Sequence, residues 1–161
     1  MKRLVYAPAL AFLFLTGFAG EARAQSFTAF LGGGKEVPPV QTQAKSFAVF
    51  RFLMNDRLLA GYRFNFLHRN EEVLMVHIHE APEGQDGPIV LALKPDAFCL
   101  DVGGFLTLYL ATAEHLRGSL QGKTLSELKA LMTTGNTYLN LHTDPFPDGW
   151  IRGQFPARGG T

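Results

Sequence analysis

Glycine and proline clusters cut this chain into short apolar runs, and that punctuation limits the available folds more than any other feature. Ser26 to Leu31 alternates polar and apolar side chains as a strand does. Gly32-Gly33-Gly34-Lys35-Glu36-Val37-Pro38-Pro39 then interrupts it, because glycine frees φ and proline donates no ladder hydrogen bond. Ser46 to Met54 and Leu58 to Leu67 read as a hairpin through Asn55-Asp56, with Tyr62, Phe64 and Phe66 on one face. Leu74 to His79, Pro88 to Leu93 and Phe105 to Ala111 are further strands. Thr137 to His142 and Trp150 to Phe155 are the last two, joined by a turn-rich segment from Thr143 to Gly149. The pattern predicts an all-β fold, an antiparallel sandwich or barrel.

One helix is expected, over about 124–134. Thr124-Leu125-Ser126-Glu127 fits a capping box. Leu125, Leu128, Leu131 and Met132 form a core-facing stripe, and Gly135 stops the helix.

The N-terminus reads as a secretory signal peptide. Met1-Lys2-Arg3 is its basic start, Leu4 to Ala19 its apolar segment, and Ala22-Arg23-Ala24 its cleavage site, with cutting after Ala24. A membrane anchor is the alternative, but the run falls short of the roughly 20 residues a span needs. Residues 25–161 then form one β-sandwich domain, expected in the periplasm or outside the cell. The leader holds Lys2, Arg3, Arg23 and Glu21, so the 15 basic and 14 acidic residues of the chain become 12 and 13. That balance argues against a nucleic-acid partner, and no later segment suits a membrane.

Cys99 is the single cysteine, so no internal disulfide can staple the fold. Within Ala97-Phe98-Cys99-Leu100 it reads as a small buried hydrophobe; an intermolecular disulfide or a metal thiolate are the alternatives, and a homodimer is among the partners considered. Arg158 to Thr161 reads as a frayed tail.

The chemistry concentrates in His77-Ile78-His79. Residues two apart on a strand share a face, so Met75, His77 and His79 point one way and Leu74, Val76 and Ile78 toward the core. In the later strand Leu139 and Leu141 point inward, and Tyr138, Asn140 and His142 outward. If the two strands are neighbours, His77, His79 and His142 converge. Neutral imidazoles bind Cu, Zn, Ni or Fe, and three of them with an open position suit a reactive rather than a closed site. A thioether at Met75 would favour Cu(I). Surface histidines bonded to carbonyls would explain the same residues without a metal. His68 and His115 read as solvent-facing. There is no phosphate loop, haem attachment sequence or G-x-S-x-G nucleophile elbow.

Three segments in order resemble the CHRD domain family, first named from chordin. They are Leu31-Gly32-Gly33-Gly34-Lys35-Glu36-Val37-Pro38-Pro39-Val40, His77-Ile78-His79-Glu80-Ala81-Pro82 with Gly87-Pro88-Ile89-Val90, and Tyr138-Leu139-Asn140-Leu141-His142-Thr143 with Ile151-Arg152-Gly153-Gln154. Trp150 stands where that family often has Glu, which puts in doubt a role needing a carboxylate beside Arg152. The resemblance implies an immunoglobulin-like or superoxide-dismutase-like sandwich. His77-Ile78-His79-Glu80 and Leu141-His142-Thr143-Asp144 are also similar to the copper-histidine segments of copper–zinc superoxide dismutases, which implies copper, ahead of zinc, on His77, His79 and His142. Three functions follow as expectations: a copper-binding module, a copper-dependent redox enzyme with Arg152 steering an anion, or a structural or protein-interaction module whose Asn140, His142 and Arg152 bond across strands.

Overall fold

A computed structural model describes residues 25–53, 57–64, 72–102 and 106–158. The leader, His68, Phe66 and the Asn55-Asp56 turn lie outside these residues, as does the tail beyond Arg158. The described strands are β1 (Ser26–Gly32), β2 (Lys45–Leu53), β3 (Arg57–Phe64), β4 (Val73–Glu80), β5 (Ile89–Lys94), β6 (Phe98–Val102), β7 (Leu106–Ala111), β8 (Thr137–Thr143) and β9 (Phe146–Gln154), with α1 (Leu125–Thr133) between β7 and β8. They are antiparallel and run in the order β5-β4-β8-β9-β1-β2-β3-β7-β6. β9 meets β1 through the single pair Gly32↔Arg152. The sheet turns a corner there and folds into two layers, β5-β4-β8-β9 and β1-β2-β3-β7-β6, whose far ends approach each other. This is the all-β antiparallel architecture that the punctuation predicts, a nearly closed two-layered sheet, with the one short helix expected from its capping box.

Alternation explains the core. Val76, Ile78, Leu139, Leu141 and Ile151 of the first layer face Phe27, Ala48, Phe50, Leu58 and Tyr109 of the second, all at most 1% exposed. Phe155 joins Phe27 and Phe50 edge to face, with centroids 6.5 and 5.1 Å away. Each such ring contributes about 1.5–3 kcal/mol through burial. In α1, Leu125, Leu128 and Met132 are buried, and the Thr124–Glu127 capping box is formed in both directions.

Several details depart from expectation. β9 begins at Phe146 instead of Trp150, because Thr143 already pairs with Phe146 across a tight Asp144-Pro145 turn. β6 is an additional strand, and it lies at the end of the sheet order. Cys99 is therefore exposed rather than buried, between Phe98 at 70% and Leu100 at 47%. His115 closes a helical turn instead of facing solvent freely: its ring bonds Thr112 and the Asp96 carbonyl. Arg158 is docked, its guanidinium over the Phe27 ring and bonded to the Ser26 carbonyl.

Candidate metal centre

β4 and β8 are direct neighbours, with Met75↔His142, His77↔Asn140 and His79↔Tyr138 in register. Val76 and Ile78 of β4 and Leu139 and Leu141 of β8 enter the main core, so the histidines occupy the opposite face, as alternation requires; Leu74, expected inward, is exposed, because the ladder shifts register between Val73 and Met75. That face is not open to water. His77 is 8% exposed, His142 5%, Asn140 4%, Tyr138 2% and Arg152 1%. Three segments contribute partners to it: the Gly32–Pro39 loop through Glu36, the β4–β5 loop through Gln85, Asp86 and Gly87, and the β8–β9 hairpin through Pro147.

The three imidazoles converge. Ring centroids are 5.0 Å apart for His77 and His142, 5.8 Å for His77 and His79, and 6.2 Å for His79 and His142. One ring nitrogen from each lies within 4.8 Å of the other two. The opposite nitrogens of two rings are engaged: His79 Nδ1 donates to the Gly87 carbonyl at 2.8 Å, and His142 Nδ1 to the Pro147 carbonyl at 3.0 Å. A carbonyl can only accept, so each Nδ1 carries the proton and each Nε2 is left with a lone pair. Nε2 of His79, Nε2 of His142 and Nδ1 of His77 are buried and have no hydrogen-bond partner. Each such orphan costs about 1–3 kcal/mol, and a cation would turn that cost into coordination. Burial also keeps the rings neutral. It lowers the His77 pKa to about 4, helped by His142 and His79, and it lowers those of His79 and His142. Buried, uncharged nitrogens with carbonyl-oriented tautomers are what a late first-row metal needs, so the residues present fit such an ion.

A second set of groups braces the first. Arg152 donates to Asp86 Oδ1 at 3.0 Å and to the Gln85 carbonyl at 2.7 Å, while its guanidinium lies 3.3 Å from the centroid of Tyr138. From the β4 side His79 stacks on the same tyrosine, at 4.8 Å and 10°. The carboxylate beside Arg152 thus comes from the β4–β5 loop, where sequence position 150 offers a buried tryptophan instead. Tyr138 Oη accepts from the Gly87 amide at 3.3 Å, so one residue, Gly87, contacts both Tyr138 and His79. A Cβ on Gly87 would sit 1.9 Å from the Glu80 carbonyl, so the loop closes this tightly only with glycine. On the other flank Asn140 donates to Glu36 Oε2 at 3.2 Å. Burial raises the Glu36 pKa to about 7, against the lowering effects of Asn140 and Arg152. Gly149, at φ 145°, leaves no room for a Cβ against Asn140 and Glu36.

All three histidines singled out from the sequence meet at one point. Asn140, His142 and Arg152 do not bond one another: Asn140 and Arg152 bond covering loops, and His142 bonds Pro147 at the start of β9. Arg152 is buried and paired, so it does not present a free cation to an incoming anion. The roles of Glu36, Asp86 and Gly87 were missed, although Glu36 and Gly87 both lie in the resembling motifs.

The CHRD domain profile matches residues 27–155. The chain belongs to the CHRD domain family. No curated protein and no solved structure matches it. In this CHRD domain, all three resembling motifs contribute to one buried polar layer: the first through Glu36, the second through His77, His79 and Gly87, and the third through Tyr138, Asn140, His142 and Arg152.

Proposed function

We propose that this CHRD domain is a metal-binding module that holds one copper ion on His77, His79 and His142. The observation that carries the reading is the convergence of three imidazoles, one ring nitrogen of each within 4.8 Å of the others, each ring also holding a buried nitrogen with no hydrogen-bond partner. Copper is placed ahead of zinc because imidazole suits both metals and, as divalent ions, copper ranks above zinc in intrinsic affinity, while copper alone also has a monovalent state. A leader over residues 1–24 would deliver such a module to the periplasm or beyond. Binding is favoured over redox catalysis, since Arg152, the cation that would guide a small anion, is engaged by Asp86, Gln85 and Tyr138.

Metal analysis of the purified protein after copper loading and desalting tests this reading. About one copper per chain is expected for the wild type, with tight uptake lost in His77→Ala and in His142→Ala. Unchanged stoichiometry in both variants would sink the proposal.

A further inference from the structure

Met75 is directly opposite His142 in the β4–β8 ladder and two residues before His77 on the same strand. The ladder is regular from Met75 to Glu80, so Met75 shares the face of His77 and His79, while Val76 and Ile78 enter the core. Side chains directly across an antiparallel pair have Cβ atoms about 4.5–5.5 Å apart, so the Met75 and His142 side chains leave the sheet as neighbours on one face. Met75 is half-buried, and its unbranched side chain can adjust its sulfur position. Among the described residues, the cluster that could hold a metal consists of the three histidines alone, with no carboxylate or thiolate. The acidic groups that act on these rings do so from a distance. Asp96 is paired with Arg117, Asp86 with Arg152, and Asp148 is exposed.

A buried set of neutral donors returns no negative charge to its ion, and the cost of burying an ion rises with the square of its charge. A monovalent ion is therefore favoured over a divalent one, and a thioether selects for a soft one. We infer that Met75 completes the three-histidine site as a soft fourth donor and makes it selective for cuprous copper. This rests on the three-histidine reading and adds an oxidation state and a ligand to it.

The test is a competition titration of the full chain, without oxygen, against a cuprous chelator, with Zn(II) titrated separately. Wild type, Met75→Leu and His77→Ala are compared. Leucine is close to methionine in volume, so the fold should persist. Met75→Leu is expected to lose about tenfold or more in Cu(I) affinity, the scale on which metal sites respond to a lost partner, with Zn(II) affinity unchanged. His77→Ala should lose both metals. Cu(I) affinity in Met75→Leu equal to wild type, or an equal loss for both metals, would overturn the role of Met75 and leave the histidine site standing. A wild type that takes up neither ion would overturn the histidine site itself.

Discussion

His79 and His142 show how a backbone carbonyl fixes the tautomer of an imidazole. His79 gives its Nδ1 proton to a carbonyl of the β4–β5 loop and His142 to one at the start of β9, and each is left with a bare Nε2 in a buried place. Gly87 supplies one of those carbonyls from a position with no room for a side chain. Gly87→Ala should therefore push the carbonyl away from His79 and cost about 10- to 100-fold in metal affinity, measurable by the same chelator competition. Affinity equal to wild type would show that the carbonyl does not orient the ring. Glu36 gives a prediction of a different kind. Its folded pKa of about 7 lies above the ordinary 4.5, so its contribution to stability is full below 4.5 and is lost as pH rises through about 7. Denaturant titrations of wild type and Glu36→Gln should show the variant gaining relative to wild type across that window. A constant difference would contradict the assigned burial. At this scale alternation alone discloses that His77, His79 and His142 leave the aliphatic core face. It does not disclose Gly87 or Pro147 as orienting groups, because a carbonyl carries no residue identity. Asp86 escapes notice for a related reason: its partner Arg152 is 66 positions away, and only the folded loop joins them.

The β4–β8 pair is the element on which the site depends. Reading each strand separately puts its histidines on the face away from the aliphatic core, but cannot show that the strands, more than 50 residues apart, are neighbours. It also cannot show that the outward face is covered, since the cover is made of loops whose conformation is set by the fold. β6 was missed for a local reason: Phe98-Cys99-Leu100 has no alternation, and as a short run it reads equally well as buried. The β4–β5 loop is held down largely by Arg152, whose side chain is 2% exposed while that of Asp86 is 61% exposed. Asp86→Ala should cost about 1–3 kcal/mol, more than a surface pair because Arg152 stays buried, and less than a fully buried pair because solvent screens Asp86. The loop amides, Gly87 included, should then exchange hydrogen faster than in the wild type. Unaltered exchange would mean that the clamp does not hold the loop.

Across the whole molecule, two layers share a hydrophobic core, and the outer side of one layer carries a second, polar interior. The all-β class and the helix were legible in the sequence because alternation, Gly/Pro breaks and a capping box are local signals. The corner at Gly32↔Arg152, where one sheet becomes two layers, was not. The polar interior links stability to pH. His77 falls from its ordinary 6.5 to about 4, so the unfolded chain takes up its proton first, and stability present above 6.5 is lost as pH drops toward 4. His79 and His142 act in the same direction. Bound metal should oppose that loss, since an ion held only by the folded chain at 100 times its dissociation constant adds about 2.7 kcal/mol. X-ray absorption at the copper edge of the loaded wild-type protein tests most directly whether three imidazoles share one ion. We predict the outer-shell scattering of three imidazoles bonded at about 2.0 Å; a spectrum of oxygen ligands without imidazole scattering would contradict it.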